Sequence, residues 1–397
     1  MPAWDQLLFL HLPLAIAAGS CLYFVGVIIA SLRFRAEAEP STAFAPPVSV
    51  LKPCAGIEPR FHETLRSHFE QDYPQFEVLF CLRDESDPAL WTIRMLQQQF
   101  PAVPSRVIFV ADIAGANSKT VKLRELVAQA RHDVLVISDA DIAVAPDYLR
   151  GVVRPLRDET VGLVTCLYRG VRARGLNSLL EALSMSGEFA GQVLLGRLLS
   201  GLISRTPSRT PSGMRFGLGA TLATRKKQIE AIGGLTPWLP YLADDFILGN
   251  KIAAAGYKVH LSKTVVATHL PARSWRASFA QQLRWARTIR ACSPAGYPGL
   301  LVAYGMPFAL WLLCIGNLAD WQLAVALTAI ATRLMAAWIS GAVITGDRLV
   351  PRYLWLLPLR DLWALGIWCV SFFGRQITWR DQRYRLDAGG KLTSLDR

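Results

Sequence analysis

Residues 134–141 read VLVISDAD, an apolar run that ends directly in two aspartates, and this stretch decides the fold. Three similar apolar runs precede it in the chain, at residues 48–51, 76–82 and 106–110. Helix-like segments separate these runs, around residues 61–69, 90–100 and 118–130. Such alternation predicts an α/β domain with a doubly wound, mostly parallel sheet, in which ligands bind outside the carboxyl ends of the strands.

The two aspartates of this stretch, Asp139 and Asp141, are candidate metal ligands. Carboxylates at positions i and i+2 can reach one point where the chain turns after a strand, and Mg²⁺ or Mn²⁺ prefers carboxylate oxygens. A metal held there could neutralise a diphosphate. Asp84 follows the second apolar run in the same way, at the edge where a nucleotide base or ribose would bind. The alternative for each of these acids is an Asx turn or a helix cap.

A second acidic site is the pair Asp244 and Asp245, the last acids before a stretch of 74 residues that contains none. A carboxylate that is partly desolvated beside another carboxylate gains the basicity that a general base needs. The alternative is a helix N-terminus, where the helix dipole favours acidic side chains.

The segment 275–290 contains Gln281, Arg284 and Trp285, which share one face if the segment is helical. That face would present an amide, a cationic fork and an indole surface together. The alternative is an amphipathic interfacial helix whose arginines contact lipid phosphate groups.

The composition indicates a membrane protein. The 397 residues carry 43 Lys and Arg against 30 Asp and Glu, a net charge of +13, yet 52% are hydrophobic and only 18% are charged. A disordered chain is more polar than this, and a soluble nucleic-acid-binding protein reaches such a charge by adding basic residues to a polar surface. Two stretches without acids, residues 189–229 and 246–319, favour a surface that contacts anionic lipid headgroups, and we expect no nucleic-acid partner.

Four apolar stretches predict the membrane topology: residues 7–32 and, within the C-terminal block 300–374, residues 300–319, 321–343 and 353–374. Residues 7–32 contain no Asp, Glu, Lys or Arg and are long enough for an uncleaved transmembrane anchor. Arg33 and Arg35 follow this block and no basic residue precedes it, so residues 47–290 are expected to form a cytoplasmic domain at a bacterial inner membrane. The block 300–374 predicts two or three helices. We expect its last helix to be re-entrant or interfacial, which keeps the basic tail 375–397 in the cytoplasm.

The order of these pieces resembles the membrane-bound, family-2-like inverting glycosyltransferases, which carry a D, DxD, D and QxxRW series ahead of membrane spans. This chain supplies the series with Asp84, Asp139-Ala-Asp141, Asp245 and Gln281-x-x-Arg284-Trp285. Local sequences are most similar to the ceramide glucosyltransferase family, in VSVLKP at 48–53, QDYP at 71–74 and GLVTCLYR at 162–169. Bacterial hopanoid-biosynthesis glycosyltransferases also resemble the chain.

The resemblance implies a GT-A fold that binds a UDP-sugar together with Mg²⁺ or Mn²⁺. The residues that it places at the nucleotide sugar are Asp84, Asp139, Lys52 and Lys119. The metal would lie on Asp139 and Asp141, and Asp245 would be the catalytic base. The residues that it places at the acceptor and the diphosphate are Asp244, Gln281, Arg284 and Trp285.

The implied reaction is transfer of one hexose from a UDP-sugar to the hydroxyl of a membrane lipid, as in glycolipid synthesis by ceramide glucosyltransferases. One alternative is a hopanoid glycosyltransferase that adds N-acetylglucosamine to bacteriohopanetetrol. Another is a processive polysaccharide synthase, which shares the four motifs. The motifs leave open which UDP-sugar is used and whether the acceptor is ceramide, a hopanoid or diacylglycerol.

Overall fold

The structure is a computed structural model that describes residues 7–39, 44–111, 113, 117–171, 175–203, 214–379 and 382–395. It consists of an α/β domain, a group of long apolar helices from both ends of the chain, and a small C-terminal sheet. The described α-helices are, in chain order, α1 (Leu12–Ala36), α2 (Phe61–Phe69), α3 (Ala89–Gln99), α4 (Ser118–Gln129), α5 (Tyr148–Val153), α6 (Gly175–Ser184), α7 (Ala190–Ile203), α8 (Lys226–Ala231), α9 (Asp244–Ala254), α10 (Trp275–Cys292), α11 (Gly305–Ile315), α12 (Asp320–Ala337), α13 (Leu349–Tyr353) and α14 (Leu357–Ser371).

The domain is built on an eight-stranded sheet. Its strands are β1 (Val48–Pro53), β2 (Phe76–Leu82), β3 (Ser105–Phe109), β4 (Val134–Ser138), β5 (Ile142–Ala143), β6 (Val161–Val171), β7 (Thr221–Arg225) and β8 (Lys258–His269). They lie in the order β3-β2-β1-β4-β7-β6-β8-β5. The first four strands in that order are parallel, β7 runs antiparallel to β4 and β6, and β8 is parallel to β6. The expected α/β fold with a doubly wound, mostly parallel sheet is therefore confirmed.

Apolar side chains cover both faces of the sheet. Along β1, Val50 belongs to the core on one face and Leu51 to the core on the other, as the alternation of side chains in a strand requires. Helices α2 and α3 cover the first face, and α4 and α7 cover the second. Ala30 and Phe34, near the end of α1, also join the second core, so the N-terminal apolar helix is packed against the domain.

Four helical segments are long and apolar enough to cross a membrane: Leu8–Ala36, Tyr297–Ile315, Asp320–Ile344 and Leu349–Ser371. Three of the charges inside the last two segments, Arg333, Arg360 and Asp361, are paired. Arg333 contacts Asp361 through two hydrogen bonds of 2.8 Å, and Arg360 lies 3.0 Å from Glu188. The sequence shows these charges within apolar blocks, and the structure shows which side chains neutralise them.

The residues after α14 form a three-stranded antiparallel sheet of β9 (Gln376–Trp379), β10 (Gln382–Leu386) and β11 (Leu392–Ser394). This C-terminal sheet is hydrogen-bonded to the loop that precedes α9. The Leu242 amide donates to the Gly390 carbonyl at 3.1 Å, and the Leu392 amide donates to the Pro240 carbonyl at 2.6 Å. The C-terminal segment is thus held against the α/β domain.

Candidate active site

The Asp-Ala-Asp motif lies at the carboxyl end of β4, above two buried polar side chains. Lys52 of β1 is fully buried, and its Nζ donates to the Asp139 carbonyl at 2.5 Å and to Ser138 Oγ at 3.2 Å. His68 Nε2 lies 3.0 Å from the same hydroxyl. Burial lowers the pKa of Lys52 to about 8, although the nearby acids oppose that shift. Lys52 therefore supports the backbone of the motif from below.

Lys119 connects the motif to the acidic pair. Its Nζ lies 2.7 Å from Asp139 Oδ1 and 3.3 Å from Asp244 Oδ2. Burial opposes the charge of Lys119, but the carboxylates of Asp139, Asp244 and Asp245 raise its pKa above the ordinary value. Asp139 and Asp244 are more than a hundred residues apart in the sequence, yet both lie beside the ammonium group of Lys119.

Asn117 positions both partners of this contact. Its side chain caps α4 by accepting from the Lys119 amide at 3.0 Å, which orients the first turn of the helix. The backbone amide of Asn117 donates to the Leu239 carbonyl at 2.6 Å, and its side-chain Nδ2 donates to the Tyr241 carbonyl at 2.9 Å. The loop that leads into Asp244 is thus tied to the helix that carries Lys119.

Asp245 is the candidate general base. Burial, reinforced by the charge of Asp244, raises its pKa to about 6, while Lys119 acts in the opposite direction. The Phe246 amide donates to Asp245 Oδ1 at 2.8 Å, which leaves Oδ2 for another partner. A methyl group on Gly219 would lie 3.1 Å from Asp245 Oδ2 and 3.6 Å from Asp139 Oδ2. The absence of a side chain at Gly219 therefore lets Asp245 and Asp139 approach the same space.

Asp141 and Asp139 can hold a divalent cation. Thr268 Oγ1 donates to Asp141 Oδ2 at 2.7 Å, and burial raises the pKa of Asp141. His269 follows Thr268 and lines the same cavity as the motif, and its Nδ1 is buried without a hydrogen-bond partner in the structure. Within the described part of the chain, no three His, Cys, Asp or Glu side chains form a complete metal cluster. Mg²⁺ commonly uses one or two carboxylates together with substrate phosphates, so this incomplete donor set fits such an ion.

Two cavities meet at this point. The motif cavity, about 350 Å³, is lined by Asp139, Asp141, Thr268 and His269. The membrane-side cavity, about 560 Å³, is lined by Asp244 and Asp245 at one end and by mainly apolar residues of the segments Tyr297–Ile315 and Leu349–Ser371 at the other. The two cavities share a common wall, formed by the residues that line both of them: Lys119, Met185, Arg284, Trp285 and Trp379.

Helix α10 brings its predicted face to this common wall. Arg284 Nη2 donates to Gln281 Oε1 at 2.8 Å, and both side chains line the motif cavity with Trp285. On another side of the helix, Gln282 Oε1 accepts from Trp363 Nε1 of α14 at 3.1 Å. Helix α10 therefore lies between the α/β domain and the last long apolar helix.

The structure places Asp84 and Lys52 outside the described linings of both cavities. Asp84 is at the carboxyl end of β2, as expected, but it is half exposed and accepts hydrogen bonds from the hydroxyl and the amide of Ser86. Those bonds lower its pKa. The geometry is that of an Asx turn at the strand end, and the role in nucleotide binding remains an expectation from the resemblance.

Several residues of the site were not predicted from the sequence, among them Gly219, Thr268, His269 and Trp379. Thr268 and His269 end β8, so the rule that ligands bind beyond strand ends would have indicated them if this long strand had been recognised. Trp379 ends β9 in a basic segment without apolar periodicity, and nothing local indicates its place at the common wall.

The sheet topology, with an Asp-x-Asp motif at the end of β4, defines a GT-A glycosyltransferase. The chain belongs to glycosyl transferase family 21, whose sequence pattern matches residues 12–392. This confirms the resemblance to the ceramide glucosyltransferases and the expected GT-A fold.

Individual relatives agree with this assignment. Ceramide glucosyltransferase 1 of Caenorhabditis elegans is 23% identical over 393 residues, covering 94% of this chain and 79% of that protein. The ceramide glucosyltransferase of Komagataella phaffii is 32% identical over 101 residues, covering 24% of this chain and 20% of that protein. The mannosyltransferase PcManGT of Pyrobaculum calidifontis, solved with GDP-Man and Mn²⁺, shares the fold with a TM-score of 0.51 at 22% identity, covering 91% of this chain and 99% of that chain.

Proposed function

We propose that this glycosyltransferase transfers one hexose from a UDP-sugar to the hydroxyl of a membrane lipid, with inversion at the anomeric carbon. The observation that carries the proposal is the common wall of the two cavities. The motif cavity presents carboxylates suited to a metal-bound diphosphate, and the membrane-side cavity leads from Asp245 to the membrane helices. A donor in the first and a lipid in the second would meet at Lys119, Arg284 and Trp285.

Asp245 would accept the proton of the lipid hydroxyl. As the lipid oxygen forms its bond to the anomeric carbon, the bond from that carbon to the β-phosphate oxygen breaks, and UDP leaves with the electron pair. A base with a pKa of about 6 is ionised at neutral pH and still basic enough to take this proton. Asp244 would hold Lys119 in place, since their charged groups lie 3.3 Å apart.

Stabilisation of the leaving UDP would come from the cations of the common wall. Arg284 is hydrogen-bonded to Gln281 and, like Lys119, lines both cavities. Fixed donors aimed at developing charge in a site that excludes water give large rate accelerations. Asp139 and Asp141, with His269 beside them, would hold Mg²⁺ or Mn²⁺, and this ion would neutralise the diphosphate when bound.

The lining of the membrane-side cavity favours a lipid over a growing polysaccharide. Leu300, Ile367 and Trp368, from the membrane helices, form part of its wall. Its volume of about 560 Å³ is within the range of small-molecule sites, and apolar walls suit acyl or polycyclic chains better than a hydrated sugar polymer. This argues against a processive polysaccharide synthase and is compatible with either a ceramide or a hopanoid as the acceptor.

We further propose that residues 47–290 are a cytoplasmic catalytic domain, anchored by helix 7–32 and by block 300–374. Arg33 and Arg35 at the end of the first helix support this orientation. The exposed Trp275 and the adjacent Arg276, at the start of α10, are suited to contact anionic headgroups.

The deciding experiment is incubation of membranes containing the protein with radiolabelled UDP-glucose, UDP-galactose or UDP-N-acetylglucosamine, followed by mass spectrometry of the extracted lipids. A single sugar on ceramide or diacylglycerol identifies a glycolipid synthase, and N-acetylglucosamine on a hopanoid identifies the first alternative. A labelled polymer, or no labelled lipid with any of the donors, would contradict the proposal. The Asp245→Asn protein serves as the inactive control.

A further inference from the structure

The membrane-side cavity contains one charged pair away from its reactive end. Arg360, from α14, and Glu188, from the π-helical turn Met185–Phe189, both line this cavity. Arg360 Nη2 lies 3.0 Å from Glu188 Oε2, and the two side chains are 7% and 10% exposed. Gln192 donates to the other carboxylate oxygen at 3.3 Å. A charged pair in a mainly apolar cavity is costly unless its remaining hydrogen-bonding groups find partners.

The hydrogen bonds of Arg360 are incomplete in the structure. Its Nε and Nη1 are buried and have no hydrogen-bond partner among the residues that the structure describes. The neighbouring pair provides a contrast, because Arg333 donates Nε and Nη2 to Asp361 and Nη1 to the Gly187 carbonyl. Arg333 and Asp361 do not line the described part of the cavity. A pair that serves packing alone is thus saturated in this protein, whereas the pair that lines the cavity retains free donors.

The pair Arg360–Glu188 lies close to the end of the membrane-side cavity where the proposed reaction takes place. Met185 lines both cavities, and Glu188 is three residues further along the same helical turn and lines only the membrane-side cavity. Three residues of helix correspond to a rise of about 5 Å. The pair therefore lies roughly one helical turn beyond the point at which a lipid hydroxyl would meet the donor.

From these observations we infer that Arg360 and Glu188 form a subsite for a second polar group of the lipid acceptor, one that both accepts and donates a hydrogen bond. The inference rests on the proposed function. An oxygen of the lipid would accept from Arg360, and an N–H or O–H would donate to Glu188, whose carboxylate can accept further bonds. A secondary amide or a second hydroxyl meets both requirements. The ester oxygens of diacylglycerol meet only the first, and the negative charge of Glu188 disfavours an anionic headgroup.

The test measures lipid binding separately from turnover. The full-length protein, in phosphatidylcholine nanodiscs without a sugar donor, is titrated with an N-acylated long-chain amino alcohol, with a hopanoid polyol and with 1,2-diacylglycerol. Native mass spectrometry reports the bound lipid. We expect the amide lipid or the polyol to bind about ten-fold more tightly than diacylglycerol, since one additional hydrogen bond to a charged group gives a factor of this order. Which of the two binds identifies the source of the polar group.

Two conservative variants assign this preference to the pair. Glu188→Gln should reduce it to about two-fold or less, and Arg360→Lys should weaken the binding of all three lipids, because its ammonium cannot reproduce the guanidinium geometry. Glu37→Gln, in the exposed pair with Arg197, is the matched control and should leave every affinity unchanged. If Arg360→Lys does not fold, the lipid preference of Glu188→Gln alone tests the inference.

Equal binding of the amide lipid, the polyol and diacylglycerol by the wild-type protein would overturn the inference, and so would an unaltered preference in Glu188→Gln. Failure of the proposed function has a different signature, because no lipid would then be glycosylated while the binding preference could persist.

Discussion

Lys119 and Asp139 form an ion pair, with Nζ 2.7 Å from Oδ1, and through this pair the Asp-Ala-Asp motif is joined to the acidic pair. The same ammonium lies 3.3 Å from Asp244. Asp139 of the motif and Asp244, the neighbour of the proposed base Asp245, therefore share one cation. A change at one end of the site should be detectable at the other.

Asp245→Asn should abolish sugar transfer and leave donor binding nearly intact. The amide preserves the shape of the side chain but cannot take a proton, and loss of a general base typically costs a factor of about 10²–10⁴ in rate. Transfer is measured with saturating labelled donor, and binding by equilibrium dialysis of the UDP-sugar. Appreciable turnover in this variant would remove Asp245 from its role.

The acidic limb of the pH–rate profile should lie near pH 6. The pKa of Asp245 is raised above that of a free carboxyl, so the active carboxylate is present above pH 6 and is lost as the pH falls through that value. Lys119 opposes this shift, and its removal in Lys119→Met should move the limb upward by about one unit. Lys119→Arg retains the charge and is the matched control. An acidic limb that stays in place in Lys119→Met would contradict the coupling.

Asp139→Asn should remove the metal-dependent part of nucleotide binding. The variant loses a carboxylate of the motif and one partner of Lys119, so UDP affinity measured by calorimetry with Mn²⁺ should fall by about ten-fold or more. In the presence of EDTA the variant and the wild-type protein should bind UDP equally weakly. Asp72→Asn, in the exposed pair with Arg150, is the control. Identical Mn²⁺ titrations of the variant and the wild type would exclude Asp139 as a ligand.

Trp379 should be needed to complete the site. It lines both cavities from the C-terminal sheet, where its indole can cover the sugar during transfer and exclude water. Trp379→Ala should lower the rate of transfer by about ten-fold and increase hydrolysis of the UDP-sugar relative to transfer, whereas Trp379→Phe should retain most of the activity. Released UDP and glycosylated lipid are quantified in one assay. An unaltered ratio of hydrolysis to transfer in Trp379→Ala would show that the indole does not close the site.

The sequence predicted the first half of the sheet almost residue by residue. The predicted runs 76–82 and 134–138 coincide with β2 and β4, because short apolar runs between amphipathic helices depend on local patterns. The strand-end rule also led to Asp139 and Asp141. It could not show that Asp84, at an equivalent strand end, would lie outside the cavities, because loop conformation after a strand depends on contacts such as the hydrogen bonds of Ser86.

The remaining parts of the site depend on contacts between distant segments. Leu242 and Gly390 are joined by a backbone hydrogen bond, and Arg333 and Asp361 by a buried ion pair, although neither pair is close in sequence. Hydrophobic periodicity in the sequence does not predict contacts between such distant residues. The C-terminal sheet has short strands with exposed basic residues, a pattern that also describes an unstructured tail, so its role in the site required the three-dimensional structure.

The last apolar helix should re-enter the same face of the membrane instead of crossing it. Both of its ends lie near the α/β domain. The turn before it is held by Arg169, which donates to the carbonyls of Thr345 and Gly346 at 2.8 and 2.6 Å. At its other end, Ser371 Oγ lies 2.8 Å from the hydroxyl of Tyr297, where the first C-terminal helix begins. The segments Tyr297–Ile315 and Asp320–Ile344 would then cross and return as a hairpin.

Single cysteines test this topology in a background without the seven native cysteines. Asn317→Cys, in the exposed turn of the hairpin, should react with a membrane-impermeant maleimide in intact cells. Lys391→Cys, in the C-terminal sheet that pairs with the α/β domain, should react only after the membrane is permeabilised. Labelling of Lys391→Cys in intact cells would place the C-terminal sheet outside the cell and contradict the proposed orientation. Because this sheet is hydrogen-bonded to the loop before Asp244, that result would also place the catalytic domain outside the cell.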